Sequence, residues 1–471
     1  MSSSVQNSTP EPSLWAAVKE SLAGTHRDYT VGPIGRAITL LAIPMVLEMA
    51  MESLFAIVDV FFVAKLGSDA VASVGLTESV MTLLFAVAIG LAASTTAMVA
   101  RRIGEKDPEA AAVATVQAIV LGLIVAAICG ALGFIFAADI LRLMGASDSV
   151  IATGTGFTRA ILGGSFTVLL LFLINASFRG AGDAAIAMRV LVLSNSINIL
   201  LNPCLIFGLG PFPALGVTGS GIGTSIGRGI GVLYGVWRLS QGSGHLKLRR
   251  EHLKIDVDVL WRLLRISLSA MFQYFIAVAS WMGMVRMAAS FGSAAIAGYT
   301  LAMRIIIFAL LPSWGLSNAA ATLVGQNLGA QKPERAEASV WRAGIYNMVF
   351  LGAIGLLFLA FAPWLLSFFT DDAGVLSFGS DCLRIVSAGY IFYAWGMVLV
   401  QAFNGAGDTL TPTIINLCCY WFFQIPVAWA LAWGLSLGAI GVFWAIPIAE
   451  SLLAVVGVFA FRRGKWKTQK V

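Results

Sequence analysis

The sequence predicts an all-α membrane protein with twelve transmembrane helices in two pseudo-symmetric six-helix lobes. Its composition, its regularly spaced apolar runs and an internal repeat each support this fold class. Of the 471 residues, 58% are hydrophobic and only 11% are charged, whereas a soluble globular protein carries about 25% charged residues. So few charges cannot cover the surface of a water-soluble chain of this length.

Apolar runs bounded by glycine, proline or charge recur along the whole chain, and about 20 apolar residues are enough to cross a bilayer. The predicted spans are 38–63, 72–100, 113–137, 155–178, 187–208, 216–238, 263–290, 295–325, 338–362, 381–402, 411–432 and 439–461. If both termini are cytoplasmic, 23 of the 30 Lys and Arg residues lie in cytoplasmic tails, loops and helix ends. This asymmetry follows the positive-inside rule and predicts a multi-pass protein of the cell membrane.

The order of these spans divides the chain into five parts. The prediction is a cytoplasmic tail at 1–35, an N-lobe at 36–238, a cytoplasmic linker at 239–258, a C-lobe at 259–461 and a basic cytoplasmic tail at 462–471. The first 30 residues are polar and lack the apolar core of a cleavable signal. Leu14, Val18 and Leu22 recur every four residues, so this tail forms either a short interfacial helix or a disordered segment.

A constant offset in residue number superimposes the two halves of the sequence. Phe178–Asp183 reads FRGAGD, and at an offset of 225 Phe403–Asp408 reads FNGAGD, while Gly216-Val217 falls on Gly441-Val442. Each half then contains six spans in the same orientation, related by an axis along the membrane normal. Secondary transporters use this architecture and bind substrate at the interface between the halves.

Carboxylates inside a membrane span are costly and therefore mark functional candidates. The first span carries Glu48, Glu52 and Asp59, and at about 100° per residue all three share one face, within roughly 40° of each other. We expect this face to line a cavity, Glu48 and Glu52 being either functional or a water-exposed wall. Polar partners for Asp59 are expected from the fourth, fifth and sixth spans: Asn175, Asn198, Asn202 and Thr224.

A carboxylate surrounded by amides and a hydroxyl suits either a proton or a hard cation such as sodium. We therefore predict that Asp59 and its four partners form the ion-coupling site. The corresponding positions of the second half are apolar: Met284, Val400, Phe423, Val427 and Ala449. Ion coupling is therefore expected in the N-lobe.

Other intramembrane charges suggest a gate. Glu78 and Arg304 lie at corresponding depths of the two halves, so they are candidates to pair across the lobe interface. Arg286 is a candidate to reach Asp59 or a glutamate of the first span. The alternative for each pair is a static ion pair without a role in gating. Glu450 is expected to line the cavity or to be structural.

The rarer residues argue against several classes of site. The three histidines lie in polar stretches, and the five cysteines lie in apolar runs without a CxxC spacing. We therefore predict no catalytic residues, no metal ligands, no disulfide and no cofactor. The sequence has no GxxxxGK[ST] motif for nucleotide phosphates, and the basic residues follow membrane orientation, so no nucleic-acid partner is expected.

Together these features resemble the multidrug and toxic compound extrusion (MATE) family across residues 36–460. The resemblance is carried by Val58–Gly67 (VDVFFVAKLG), Val324–Pro333 (VGQNLGAQKP), the paired FxGAGD segments and Asn198–Pro203 (NILLNP). It implies two V-arranged lobes and cation-coupled antiport of organic, often cationic, compounds. It also implies that Asp59 binds the coupling ion and that Asn175, Asn198, Asn202 and Thr224 form its polar shell.

Departures from the family pattern narrow the resemblance. Asn202 stands where prokaryotic relatives often have an acid, which leaves the site one charge poorer. Ala277 and Tyr393 stand where the NorM-like branch has C-lobe acids. The chain therefore resembles the DinF-like branch, in which coupling depends on the N-lobe, and this favours protons, with sodium as the alternative.

Three other functions compete with efflux. A lipid-linked oligosaccharide flippase of the same superfamily lines its cavity with cations, and here Arg286 and Arg304 are outnumbered by acids, which favours a cationic cargo. An intramembrane enzyme needs a metal or nucleophile cluster, and Asp371-Asp372 is a lone pair in a predicted loop. A channel usually needs several subunits, whereas a two-lobe repeat predicts a monomer. The sequence thus favours an efflux antiporter over an enzyme.

Overall fold

The computed structural model describes residues 14–24, 27–242, 244–469 and 471. All regular structure within these residues is helical. The helices are α1 (Leu14–Ala23), α2 (Ile34–Ala64), α3 (Ser68–Gly104), α4 (Pro108–Ile135), α5 (Ala137–Leu143), α6 (Asp148–Gly163), α7 (Ser165–Ala181), α8 (Ala184–Phe207), α9 (Val217–Gln241), α10 (Val257–Ala289), α11 (Ser293–Gly329), α12 (Pro333–Ser367), α13 (Ala373–Ala388), α14 (Tyr390–Ala406), α15 (Leu410–Asn416), α16 (Ile425–Trp429) and α17 (Ala439–Arg462). π-Helical segments at Leu417–Gln424 and Ala430–Gly434 continue α15 and α16.

Of the two predictions for the tail, α1 matches the short helix, while most of the remaining tail lies outside the described residues. Position 243 of the predicted linker and position 470 of the predicted C-terminal tail also lie outside them.

Twelve of these helical stretches form the spans. In the described part of the chain, nine helices are long and apolar enough to cross a membrane, or ten when the bent pair α13–α14 is one span. The other two are α2 and α9, which have 31 and 25 residues and also reach across at about 1.5 Å per residue. Helix α2 carries the three predicted carboxylates. Helix α9 carries a glycine stripe, with a glycine at every fourth position from Gly219 to Gly235. The predicted fold class is confirmed.

The repeat is visible in the backbone. The ends of α3 and α11 are related by the offset of the sequence repeat, and so are the ends of α7 and α14. Gly67 and Gly292 precede α3 and α11 with φ of 101° and 104°, a conformation that residues with a Cβ rarely adopt. The two halves therefore share capping geometry as well as sequence.

The last helix of each lobe shows that one predicted match was wrong. Gly216 (φ 56°) caps α9 and Gly438 (φ 59°) caps α17, so the offset here is 222 and Gly441 is not the counterpart of Gly216. The connection after α8 spans 208–216, whereas the one before α17 spans only 435–438. The counterpart of Thr224 is therefore Ile446, and the counterpart of Arg228 is Glu450.

The two lobes meet closely at the predicted cytoplasmic end of α3 and α11. A Cβ added to Gly104 would lie 2.0 Å from the backbone oxygen of Gln326, and one added to Gly329 would lie 2.2 Å from that of Arg101. Gln326 also donates from Nε2 to the Gly180 carbonyl at 3.0 Å. Backbone therefore packs against backbone, and the structure is closed at this end.

The segment before α2 joins the lobes at the same end. Asp28 forms an ion pair with Lys106 of the N-lobe, while Lys332 of the C-lobe donates to the Thr30 carbonyl at 2.9 Å. Although partial burial opposes ionisation of Asp28, hydrogen bonds from Lys106 and Thr30 lower its pKa to about 2. Asp28 therefore stays charged at physiological pH.

Candidate functional site

Three carboxylates project from α2 into the N-lobe, and each has its own set of partners. The prediction that Glu48, Glu52 and Asp59 share one face agrees with this arrangement, because all three contact residues of α7, α8 or α9. The stretch of α2 between Glu48 and Asp59 is about 16 Å long, at about 1.5 Å per residue. The three acids therefore form a ladder across the membrane and not one cluster.

Asp59 is bound by residues of α8 and α9. Asn202 Nδ2 donates to Asp59 Oδ1 at 2.6 Å, and Ser220 Oγ donates to the same oxygen at 2.8 Å. No hydrogen bond in the described part of the chain reaches Asp59 Oδ2, and Asp59 forms no ion pair there. One carboxylate oxygen is thus held in place while the other remains available to an ion.

Two of the predicted partners, Asn198 and Thr224, reach Asp59 only through Asn202. Asn198 Nδ2 donates to Asn202 Oδ1 at 3.3 Å and to Thr224 Oγ1 at 2.9 Å. These contacts orient Asn202, because its oxygen accepts from Asn198 while its amino group donates to Asp59. Asn198, Asn202 and Thr224 therefore belong to one network with Asp59, as the sequence predicts. Ser220 was missed, although it lies one turn before Thr224 on α9.

The fourth predicted partner, Asn175, does not belong to this network. Its Nδ2 donates to Glu48 Oε1 at 3.1 Å, so the expectation that it contacts Asp59 is wrong. Asn175 lies in the half of α7 that ends at the FRGAGD segment, at the depth of Glu48. The sequence places Asn175 on the correct lobe but does not fix its depth.

Glu48 does not line a cavity. It is 1% exposed and forms an ion pair with Arg179 at 2.7 Å. The expectation of a water-exposed wall is therefore wrong for this residue. Arg179 lies in the FRGAGD segment, and its carbonyl accepts a hydrogen bond from Thr322 of the C-lobe, so the pair lies beside the lobe interface.

Glu52 occupies the middle of the ladder. Arg228 Nη2 lies 3.5 Å from Glu52 Oε1, and Asn195 Nδ2 lies 3.5 Å from Glu52 Oε2. The Arg228 guanidinium also lies 5.6 Å from the ring centroid of Phe55, a cation–π distance. Arg228 interacts electrostatically with Asp59 as well, so it connects the two acids.

The glycines of α9 allow this close arrangement. A Cβ added to Gly223 would lie 2.3 Å from Asn202 Oδ1, and one added to Gly227 would lie 2.8 Å from the Ser194 carbonyl. Small residues let two membrane helices approach closely. The stripe consequently positions the Asp59 network, although its glycines offer no side chain to an ion.

The predicted gate residues are apart in this structure. Glu78 and Arg304 are both exposed and form no ion pair within the described residues, although they interact electrostatically. Arg286 is in the last turn of α10 and is exposed. No ion pair of the described chain joins it to Asp59 or to a glutamate of α2, so that expectation is not met here. Basic residues at a helix C-terminus also interact favourably with its dipole.

Two carboxylates are buried among the described residues of the C-lobe, Asp408 at the end of the FNGAGD segment and Glu450 inside a span. Glu450 of α17 is 5% exposed and accepts a hydrogen bond from Tyr420 Oη at 2.9 Å. The sequence predicts that Glu450 either lines a cavity or is structural, and it names no partner for this residue. In the structure its surroundings are tyrosines.

Glu109 at the start of α4 and Glu251 and His252 of the linker form the group of possible metal ligands found within the described residues. Arg249 Nη1 lies 3.4 Å from Glu109 and 3.3 Å from Glu251. A cation already balances these acids. We therefore assign no metal to this surface.

Comparisons with known proteins place the chain in context. The MatE family model matches residues 44–204 and again 269–430, two segments whose first residues are related by the offset of the repeat. The chain is 27% identical over 445 residues to the probable multidrug resistance protein YoeA of Bacillus subtilis (strain 168), covering 93% of this chain and 95% of that protein. It is also 27% identical to a Shewanella oneidensis protein named FAD transporter, covering 92% and 95% of the two chains.

The fold has solved counterparts. One is the outward-facing conformation of a multidrug resistance MATE family transporter, which matches with a TM-score of 0.87 at 25% identity. The match covers 93% of this chain and 98% of the solved one.

Proposed function

The protein belongs to the MATE family of multidrug efflux transporters, and from this premise we propose that it exports organic compounds in exchange for protons. The proposal places it in the cell membrane as a monomer with both termini cytoplasmic. It needs no cofactor beyond the coupling ion. Its relatives are named as transporters, and it is not an enzyme.

The observation that carries the proposal is the geometry of Asp59. A single carboxylate is held at one oxygen by Asn202 and Ser220, and its other oxygen has no hydrogen bond within the described chain. Asn202 presents its amino group to Asp59, and an amino group is not a ligand for sodium. A sodium ion could use Asn202 as a ligand only if the amide turned over and broke its contact with Asn198. This supports protons over sodium.

The lobe arrangement supports alternating access. The two lobes are closed at the end that carries Gly104 and Gly329, whereas Glu78 and Arg304 are separated toward the other end. We propose that this is the outward-facing state and that Glu78 approaches Arg304 when the outer side closes. The similarity to a solved outward-facing MATE transporter supports this assignment.

The cargo class follows from which charges remain unpaired. Glu48 and Glu52 are neutralised by Arg179 and Arg228, so Asp59 and Glu78 remain as the N-lobe acids that can face a substrate. We keep cationic or amphiphilic compounds as the first candidate, because both remaining acids are on the N-lobe wall.

A second candidate is an anionic compound that contains a pyrophosphate. Arg304 is exposed and forms no ion pair among the described residues, and one relative is named as a transporter of FAD, a pyrophosphate compound. A lipid-linked oligosaccharide flippase belongs to the same chemical class. Because a single arginine at this position is less than a pyrophosphate site usually needs, the cation remains preferred.

The test is transport by purified protein in proteoliposomes, with pH and sodium gradients imposed separately. We expect a fluorescent cationic dye to accumulate against its gradient only when a pH gradient is present. Asp59→Asn should abolish this accumulation, because its neutral amide cannot exchange a proton. Asp371→Asn, in an exposed loop, is the matched control and should transport normally.

Two outcomes would contradict the proposal. Dye accumulation driven by a sodium gradient alone would show that the coupling ion is sodium and not the proton. Full activity of Asp59→Asn would remove Asp59 from the coupling mechanism. Competition by FAD but not by organic cations would favour the second cargo class.

A further inference from the structure

Glu450 is a buried acid that the N-lobe mechanism does not use. Its side chain is 5% exposed, and Oε1 accepts a hydrogen bond from Tyr420 Oη at 2.9 Å. The hydroxyl of Tyr393 interacts with the same carboxylate. All ion pairs of the described chain lie elsewhere, so Glu450 has hydroxyl partners but no cation.

The helices around Glu450 bring no compensating charge. The titratable groups that face it or its tyrosines come from α11, α13, α14 and the π-helical segment after α15. They are Tyr299, Cys382, Tyr390, Tyr393, Cys419 and Tyr420. From α10, Ser280 bonds to the Tyr420 carbonyl and to Gln424, and neither α10 nor α16 forms an ion pair with Glu450 in the described structure. Every neighbour is therefore neutral at physiological pH.

A charged carboxylate in such surroundings is unstable. Burial of an unpaired charge costs several kcal/mol, and buried groups usually neutralise instead. Binding a proton would remove this cost for Glu450. The two tyrosine hydroxyls can then rearrange, since a protonated carboxyl is both a donor and an acceptor.

The repeat shows that this acid is not a remnant of the N-lobe site. Glu450 is the counterpart of Arg228, by the same offset that relates Gly216 to Gly438. Arg228 pairs with Glu52, but the C-lobe counterpart of Glu52 is Ala277. The same place in the fold therefore holds a cation in one lobe and an acid in the other.

Irregular backbone surrounds the acid. Tyr420 is within the π-helical segment Leu417–Gln424, and Pro447 precedes Glu450 by less than one turn. A Cβ added to Gly389 would lie 2.5 Å from Pro447 Cβ, and Gly389 is the junction where α13 and α14 bend by 57°. π-Helical turns and prolines weaken a helix locally and often mark functional sites.

We propose that Glu450, Tyr393 and Tyr420 form a second proton-binding site, in the C-lobe, which exchanges its proton during transport. Release of the proton creates a buried anion that only water or a cation can stabilise. Gly389 packs tightly against Pro447, so this contact between the α13–α14 junction and α17 has to open before either can enter. Proton binding at Glu450 does not depend on the proposed transport function, but its role in the cycle does.

The direct test is infrared spectroscopy of the full-length protein in lipid across a pH range. The wild type should show a protonated-carboxyl band at neutral pH that disappears at alkaline pH. Asp59→Asn removes the other proposed proton carrier, and in that background Glu450→Gln should lack this band, because the isosteric amide is neutral and keeps the fold. Asp371→Asn in the same background should retain it. A band that is unchanged by Glu450→Gln in that background would overturn the proposal.

The role in transport is tested separately in proteoliposomes. Glu450→Gln should export dye with a changed pH profile and about half as many protons moved per dye, whereas Tyr420→Phe should shift the profile less. An unchanged profile and proton ratio in Glu450→Gln would contradict participation in the cycle. If the wild type moves no protons at all, the proposed function fails, while the infrared band still decides whether Glu450 binds one.

Discussion

The two lobes have one backbone design but opposite internal chemistry. In the N-lobe, Glu48 pairs with Arg179. The corresponding positions of the C-lobe are Gln273 and Asn404, both buried and both neutral. Glu450 reverses the comparison on the last helix, where the N-lobe has Arg228. The repeat thus preserves helix lengths and glycine caps, while each lobe has its own charges. The proposed coupling therefore depends on these side chains and not on the shared architecture.

The largest effect expected from this comparison is on stability at the Glu48–Arg179 pair. Glu48→Gln leaves Arg179 buried and unpaired, which costs about 3–5 kcal/mol when a buried ion pair loses one partner. Glu48→Gln combined with Arg179→Asn installs the two neutral residues that the C-lobe has at these positions and should recover most of the loss, because no buried charge remains. Thermal unfolding of the purified protein in detergent measures both variants.

The reference for this prediction is the pair Gln273 and Asn404 itself. Gln273→Ala should cost less than Glu48→Gln, because it leaves no buried charge. A double variant no more stable than Glu48→Gln alone would show that the charge is not what destabilises the single variant.

A smaller effect is expected from the glycines that the two lobes share. Gly67→Ala and Gly292→Ala should each destabilise the protein by about 1–3 kcal/mol, because both backbones are in a conformation available to glycine almost alone. No atom lies within 4 Å of an added Cβ at either position, so strain is the only cost. Equal losses in unfolding experiments would establish the symmetry energetically.

Gly75→Ala is the control for this pair, since it also has open space but a helical conformation. It should be neutral or stabilising by up to about 1 kcal/mol. Losses that differ between Gly67→Ala and Gly292→Ala by more than the error of the measurement would break the comparison.

The smallest effect concerns the aspartates that end the two FxGAGD segments. Asp183 accepts hydrogen bonds from the backbone and ring of His245, at 2.6 and 2.9 Å, whereas Asp408 bonds to Thr411. Burial lowers the pKa of His245, but the hydrogen bond and charge of Asp183 outweigh it, so the pKa is raised above its ordinary value. Stability from this pair is complete below about pH 6.5 and is lost as pH rises through the folded pKa.

His245→Gln should remove that pH dependence and cost about 1 kcal/mol or less at pH 6. The measurement is the unfolding temperature of wild type and His245→Gln between pH 5.5 and 8.5, by about half-unit steps. Thr411→Val is the C-lobe control and should lower stability equally at every pH. If the unfolding temperature of His245→Gln still depended on pH in this range, the pH dependence would belong to another titratable group.

The sequence predicts features that follow from helix periodicity. It does not predict those that depend on how deep a residue lies in the membrane. The twelve spans, the repeat and the link of Asp59 to Asn198, Asn202 and Thr224 follow from helix periodicity. Asn175 was assigned to Asp59 because periodicity gives the face of a helix but not its height in the membrane. Glu48 and Asp59 are about 16 Å apart along the helix axis, too far for one amide to serve both.

The other errors have local causes. A shorter connection before α17 changed the repeat offset from 225 to 222, which hid the correspondence between Arg228 and Glu450. The helix break at Gly164 and the 57° bend at Gly389, where α6 and α13 end, interrupt two of the predicted spans. Arg286 lies in the last turn of α10, and among the described residues no ion pair joins it to an acid of α2.

The central claim is that Asp59 exchanges a proton for cargo. The most direct measurement is proton release when a cationic dye is added to the purified protein in weakly buffered detergent. The account predicts release by the wild type and a clear loss of it in Asp59→Asn, with dye binding retained. Release by Asp59→Asn equal to that of the wild type would contradict the account.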